Sequence, residues 1–405
     1  MQNWTLLFWI LLGVHALIAL RWVRGWLDVR RINLDSLELL ACPDRQAAPG
    51  DPSLTIVIAA HNEADNIEAC LTRLASQNYP FEQIIVANDR STDGTGAIVA
   101  RIAKRDPRIV LVNVDHLPDG WIGKCHALAQ GARQATGDDL LFLDSDVYLH
   151  AGALAAVMDK VKRDGVEFLT FWPWLGLKRF ADRLLVPPVG WVLSVWTWQR
   201  MGSISTVEPP IMGNGQFLLI SRAAYEKIGG HTAVAAELAE DAVMAENAYR
   251  AGLRRWVGLG KKIYLTSRDS SFRRCLDGLA RTVIGSLGSL WKLHASQHLL
   301  LGGCILPYWV APLCAVLLGR GVAPLLTSVW IGVCAVHVIA MNLTLRKLFA
   351  LTMADRINLA LYPIGCVVTV WLLTRCIFIM TGRGVLRWGA TLYRVRGSRI
   401  VRAIS

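Results

Sequence analysis

An α/β domain with a mostly parallel sheet, held between apolar membrane helices at both ends of the chain, is the fold this sequence predicts. Three observations carry the prediction. Short apolar runs alternate with helical stretches from residue 54 onward. A 17-residue apolar run spans residues 4–20, and three more follow residue 298. The composition agrees: of 405 residues, 53% are hydrophobic and 18% charged, and mean hydropathy is +0.37. Disordered chains are far more polar, and disulfide-stapled small proteins are shorter and richer in cysteine.

The first apolar run contains only His15 as an ionisable group and is followed by Arg21, Arg24, Arg30 and Arg31. A cleaved signal peptide carries its charges before the apolar run instead. Residues 1–31 therefore read as an uncleaved anchor with a basic flank, and the positive-inside rule places the following chain in the cytoplasm.

Residues 50–270 form the α/β domain. LTIVIA (54–59), QIIVAN (83–88), IVLVNV (109–114) and DLLFLD (139–144) predict strands. Helices are expected near 65–77, 93–104 and 124–136. Such a βαβ series makes a parallel sheet, whose ligands gather at the carboxyl ends of the strands. No G-x-G-x-x-G follows the first strand, which argues against a dinucleotide site. Within this domain, residues 171–201 hold Trp172, Trp174, Trp191, Trp196 and Trp198 with Lys178, Arg179 and Arg183. That mixture fits an interfacial element at the headgroup level, or else a tryptophan-rich core.

Residues 271–298 read as an interfacial amphipathic region. Residues 299–382 carry the apolar runs 299–318, 322–341 and 358–380, and residues 383–405 a basic tail. Arg375 inside the last run is costly in lipid unless paired or snorkelling. The net charge of +12 sits in two places: +3 in residues 21–31, and +9 in residues 342–405, where ten bases face Asp355 alone. Nucleic-acid binders concentrate such charge on a folded face; here it flanks apolar runs, so a lipid bilayer and not nucleic acid is the expected partner. Three C-terminal spans would put the basic tail outside, against the positive-inside rule. Either one run is re-entrant or interfacial, with Pro363 and Gly365 favouring the last, or the rule fails. Nine cysteines without CxxC spacing read as reduced packing residues.

Acidic residues at three places point to chemistry. Asp89 ends the second strand, where a carboxylate can accept N–H groups of a nucleotide base; Ser91 to Thr95 beyond it read equally as a helix cap. Asp144 and Asp146, two apart at the end of the fourth strand, can turn toward one Mg²⁺ or Mn²⁺, which favour hard oxygen ligands and phosphate; the alternative is a turn and cap. Glu240 and Asp241 open a helical stretch, as a general base or as simple compensation of the helix dipole. Lys124 opens another helix, placed for phosphate or base or merely solvated. Gly213, Asn214, Gly215 and Gln216 give a flexible backbone near a sugar or acceptor, or an ordinary turn.

The run IVIAAHNEADNIEACLTRLASQNYP, then IIVANDRSTDGT, DSD and ELAED, resembles the family 2 glycosyltransferases of GT-A fold over residues 53–265. GWIGKCHALAQG and the N-terminal anchor are similar to a membrane branch holding ceramide glucosyltransferases, hopene-associated and carotenoid-pathway glycosyltransferases. The resemblance implies that His61, Asn62, Glu63, Asp89, Lys124 and Asp144 bind a UDP-sugar. It implies that Asp144 and Asp146 hold the metal, and that Asp241 is the catalytic base with Glu240 beside it. Trp172 and Trp174 join residues 213–216 in the acceptor or sugar region. The Q-x-x-R-W string of many membrane members is missing, and its diphosphate role falls to Arg273 or Arg274. The expected activity is metal-dependent, inverting transfer of a sugar from a nucleotide-sugar to a lipid hydroxyl by a multi-pass membrane enzyme. A processive or polyprenyl-phosphate synthase, or a non-catalytic scaffold, are the alternatives.

Overall fold

The computed structural model describes residues 2–31, 37–41, 51–198, 210–268, 271–353, 359–388 and 391–404. Residues 199–201 of the tryptophan-rich segment and Gly389 lie outside the described residues. After helix α1 (Gln2–Arg30) the chain alternates β1 (Leu54–Ala60), α2 (Ile67–Ala75), β2 (Gln83–Asp89), α3 (Thr95–Ala103), β3 (Ile109–Val114), α4 (Gly123–Gln134) and β4 (Asp139–Asp144). These four strands start and end within a residue of the expected ones. Strands buried on both faces read as continuous apolar runs, which is why they are visible in the sequence.

The domain continues through β5 (Val147–Leu149), α5 (Ala153–Asp164), β6 (Phe168–Trp172), β7 (Leu175–Leu177), α6 (Phe180–Trp198), β8 (Phe217–Ser221), α7 (Arg222–Lys227), α8 (Glu240–Arg250), β9 (Arg255–Leu259) and β10 (Tyr264–Arg268). Seven strands form one sheet in the order β3-β2-β1-β4-β8-β6-β9. β8 runs antiparallel to both neighbours, β4 and β6; the other pairings are parallel. Alternate β1 residues face two helical layers. Leu54, Ile56 and Ile58 join α2 and α5 in one core, while Val57 joins α4 and α8 in another. Both layers leave the carboxyl ends of β1, β2 and β4 open at the same edge.

The remaining helices are α9 (Phe272–Leu287), α10 (Leu290–Leu300), α11 (Leu306–Gly319), α12 (Pro324–Phe349) and α13 (Tyr362–Met380). Among the described residues four helical segments are long and apolar enough to cross a membrane: Leu6–Arg30, Leu290–Gly319, Pro324–Phe349 and Leu359–Met380. The second begins nine residues before the apolar run read from the sequence, because α10 and α11 join through a π-helical turn at Leu301–Ile305.

α1 packs on α12, and α12 on α11. A buried polar chain ties this bundle together. Trp330 donates to His15 Nδ1 at 2.9 Å. The indole N–H only donates, so His15 uses Nε2–H toward His337 Nδ1, 3.0 Å away. His337 Nε2 then donates to the Gly303 carbonyl, 2.9 Å, which also accepts from Trp22 at 2.7 Å. Two neutral imidazoles thus satisfy every link, as polar groups among membrane helices require.

α13 packs differently, against α6, α9 and α10. Gly365 lies against the Leu184 carbonyl of α6, so close that a Cβ there would be 2.3 Å from it. Arg375 donates to Asp277 of α9 at 2.5 Å, and Gln297 of α10 donates to Thr374 at 2.8 Å. Arg375 is therefore paired, as its place in an apolar run demands. α9 is amphipathic: Cys275, Leu276, Leu279, Ala280, Val283, Ile284 and Leu287 are buried against α6 and α13. Tryptophans of α6 fill the seams of this layer. Trp191 stacks on Trp22 with centroids 5.5 Å apart, and Trp196 meets Trp291 edge-on at 5.0 Å. The chain ends in a small antiparallel sheet, β11 (Leu386–Trp388), β12 (Thr391–Arg396) and β13 (Arg399–Ile404). The eight described cysteines are buried and form no disulfide.

Candidate active site

A cavity of about 1040 Å³ opens at the carboxyl ends of β1, β2 and β4. His61, Glu63, Asp89, Lys124, Asp144, Asp146, Glu240 and Asp241 line it. Gly213, Asn214, Gly215, Gln216, Trp172 and Arg274 line it too. Three expected residues do not. Asn62 is exposed and in the left-handed region, φ 58°, where its backbone N–H and side-chain oxygen tie Ser91 and Thr92. Trp174 lies under Lys261, 5.5 Å from the ammonium. Arg273 borders a separate, smaller cavity with Asp277 and Arg375.

Lys124 organises the acidic wall. Its Nζ lies 2.8 Å from Asp144 Oδ1 and 3.0 Å from Glu240 Oε1. Burial alone would lower its pKa, but Asp144 and Glu240 outweigh burial and hold the ammonium well above its ordinary range. Glu240 is 5% exposed; burial would raise it, and Lys124 brings it below the usual carboxylate range. Asp241 goes the other way. Burial, and then the adjacent Glu240, push its carboxyl up to about 6. Two backbone donors fix its orientation: Gly215 N–H to Oδ2 at 2.6 Å and Ala242 N–H to Oδ1 at 2.7 Å.

Two glycines are required here by close approach. A Cβ on Gly213 would sit 1.9 Å from the Asp241 carbonyl oxygen, and one on Gly123 would sit 2.4 Å from Asp89 Oδ2. Asp89 is 5% exposed and accepts a bidentate pair from Arg90, 2.7 and 3.0 Å. Arg90 reaches back because its own backbone is left-handed, φ 52°.

Asp144 and Asp146 flank Ser145 at the end of β4. Among the described residues no three acidic, histidine or cysteine side chains converge as a complete metal cage. Two carboxylates at a strand end nevertheless fit Mg²⁺ or Mn²⁺, which keep waters and take phosphate oxygens for the remaining positions. Gln216 Oε1 is buried without a hydrogen-bond partner, leaving one acceptor for a bound hydroxyl.

Some lining residues are brought together only by the fold. Arg281 of α9 lies 4.1 Å from the ring of Trp388 of β11, and both line the cavity with Tyr393. They are more than 100 residues apart, so no local string could have linked them. Apolar side chains line the cavity as well: Val186, Val189 and Leu193 of α6, Leu279 of α9, and Leu348 and Phe349 of α12.

Residues 55–180 match the model described as Glycosyl transferase family 2. They carry a glycosyltransferase family 2 domain, and its α/β fold with a mostly parallel sheet is GT-A-like. No curated protein matches the chain. Solved structures do. One is mannosyltransferase PcManGT from Pyrobaculum calidifontis in complex with GDP-Man and Mn²⁺: 19% identity, TM-score 0.49, over 85% of this chain and 98% of that one. Another is glucosyl-3-phosphoglycerate synthase of M. tuberculosis: 19% identity, TM-score 0.41, over 64% and 86%.

Proposed function

We propose that this protein is a membrane-bound inverting glycosyltransferase that moves a sugar from a nucleotide-sugar, a UDP-sugar by the resemblance of its motifs, to a lipid hydroxyl. One observation carries the reading. A single cavity joins a carboxylate wall suited to a nucleotide-sugar to an apolar wall made by α6, α9 and α12. α12 is one of the helices long and apolar enough to cross a membrane, so this wall adjoins the bilayer in which a lipid acceptor resides.

Asp89, with His61 and Glu63 beside it, faces the nucleotide end. Asp144 and Asp146 would hold a divalent ion, whose positive charge would stabilise the departing diphosphate. Lys124 adds a positive charge of its own between Asp144 and Glu240. Gln216 Oε1 accepts from a sugar hydroxyl. Asp241 takes the proton of the acceptor hydroxyl as its oxygen bonds to the anomeric carbon and the bond to the diphosphate breaks. A single displacement inverts the anomeric centre and needs no covalent enzyme intermediate. Arg274 and Arg281 are the cavity's arginines nearest to the role of the missing Q-x-x-R-W string.

Packing supports a membrane arrangement with three crossings. The end of α12 reaches the catalytic domain, where Leu175 N–H bonds to the Thr352 carbonyl at 2.9 Å. Tyr362, at the start of α13, lies 6.1 Å from Phe349. The sheet after α13 lines the catalytic cavity. Both ends of α13 are thus on the domain side. Its exposed Ile364, Val367, Trp371 and Phe378 give it a lipid-facing stripe. We read α1, α10–α11 and α12 as crossing, and α13 as lying along the membrane face with α6 and α9. This puts both basic stretches on the cytoplasmic side with the catalytic domain, in agreement with the positive-inside rule.

The test is transfer from a panel of radiolabelled nucleotide-sugars with Mg²⁺ or Mn²⁺ into membrane lipids, followed by mass spectrometry. A lipid gaining one sugar is expected, and Asp241→Asn should cut transfer by about 100-fold or more while nucleotide binding persists. A polymer ladder, or full activity in Asp241→Asn, would overturn the reading.

A further inference from the structure

The C-terminal sheet meets the site at three points that the mechanism above leaves without a role. Tyr393 of β12 is 2% exposed and lines the cavity with Gly123, and its hydroxyl oxygen faces the Gly123 backbone N–H. Gly123 is the first residue of α4, directly before Lys124. β13 and the turn before it hold the segment that enters Glu240. Leu238 N–H donates to the Ser398 carbonyl at 3.1 Å, and Ile400 N–H to the Ala236 carbonyl at 2.9 Å. Between them Glu237, 4% exposed, accepts from the Arg399 guanidinium and from Ser398 Oγ at 3.2 Å. Trp388 of β11 stacks on Arg281, as described.

Burial of Leu386, Tyr393, Val395 and Ile400 in the core shared with α9 and α13 accounts for the sheet's attachment. It does not account for where its polar contacts go. They reach backbone atoms within four residues of Lys124 and of Glu240. Lys124 bridges Asp144 and Glu240 from a third segment, so its placement depends on how α4 and the entry to α8 are held relative to β4.

We propose that the C-terminal sheet is a positioning element of the active site, in which Tyr393 holds the start of α4 and Ser398 to Ile400 hold residues 236–238, so that Lys124 stays between Asp144 and Glu240. The inference rests on the glycosyl-transfer reading above. The tail is then part of the catalytic unit, although about 140 residues and every C-terminal apolar helix separate it from Asp241 in sequence. Displacements near 1 Å at a reacting centre cost up to about 100-fold in rate.

The experiment uses the full-length protein in detergent or native membrane. Tyr393→Phe removes only the oxygen, and Arg399→Ala leaves Glu237 without its guanidinium. Both should lower kcat at least about tenfold, with KM for the nucleotide-sugar changed less than about threefold. Amide exchange at Gly123 and Leu238 should quicken in the same variants. Arg399→Lys should restore most of kcat, and Arg396→Ala, exposed at the end of β12, should behave as wild type. An active wild type whose Tyr393→Phe and Arg399→Ala variants keep kcat within twofold would overturn this proposal alone. Loss of kcat that appears only with a fall in the unfolding midpoint would assign the sheet to stability and overturn it as well. A wild type that transfers no sugar overturns the functional reading, and this inference with it.

Discussion

Lys124 Nζ and Asp144 Oδ1 stand 2.8 Å apart at the point where α4 meets the carboxyl end of β4. That contact places a permanent positive charge among Glu63, Asp144, Glu240 and Asp241, all on one cavity wall. Without it those carboxylates would repel one another in a partly desolvated site. It also sets the conditions under which Asp241 can serve as a base.

Asp241 must be ionised to accept a proton. Its carboxyl lies near pH 6 through burial and Glu240, so transfer should be present above about pH 6 and fall as pH drops through it. Lys124 opposes that upward shift. Lys124→Gln should therefore lower transfer by about 100-fold and move the acid limb of the remaining activity to higher pH. Rate against pH for both proteins checks this; an unmoved limb would contradict the assignment of Asp241.

Gly213→Ala should damage the site through backbone contact alone. The new Cβ would lie 1.9 Å from the Asp241 carbonyl oxygen, and main chain cannot swing aside as a flexible side chain can. A stability loss of about 1–3 kcal/mol is expected, with transfer lost more completely than stability. Gly319→Ala, which meets nothing within 4 Å, should be neutral. Thermal midpoints and transfer rates for the two variants separate the effects.

Asp139 opens β4 at 4% exposure, and burial, then Asp138, raise its carboxyl from 3.8 to about 6. An acid held above its unfolded value binds its proton more tightly in the folded state. Its contribution is greatest below about pH 4 and is lost as pH rises through 6, at a cost of up to about 3 kcal/mol. Asp139→Asn should unfold at a higher temperature than wild type at pH 7, and the difference should close near pH 4. Equal midpoints at pH 7 would show that Asp139 carries no such penalty.

The three-crossing arrangement predicts which protease sites share a membrane face. A cleavage site inserted beside Arg320 and Gly321, and another appended after Ser405, should be cut from opposite sides of sealed vesicles. The appended site should be cut from the same side as the catalytic domain. Cleavage of both sites from one side would require α13 to cross.

The βαβ alternation, the acidic strand ends and the apolar runs were legible because each is a local pattern. A parallel strand announces itself by continuous apolarity, and a carboxylate at its end is placed by the strand. Asp89, Asp144, Asp146 and Asp241 line the cavity for that reason, and the match over residues 55–180 agrees with the family their motifs resemble. Asn62, Trp174 and Arg273 lie outside the cavity lining, because neighbours in sequence can face opposite sides of a turn or of a helix's first turn. Whether a 19-residue apolar helix crosses a bilayer or lies along it is not written in its own composition. The proposed place of α13 along the membrane face rests on contacts between elements: Arg375 with Asp277, Gly365 with the Leu184 carbonyl, and the sheet that follows it. The stack of Arg281 on Trp388 and the approach of Tyr393 to Gly123 likewise exist only in three dimensions. The sequence by itself determined the α/β domain, its carboxylates and the apolar lengths. The tertiary structure decided how far-separated segments close one cavity, because such contacts depend on packing between elements and leave no periodicity along the chain.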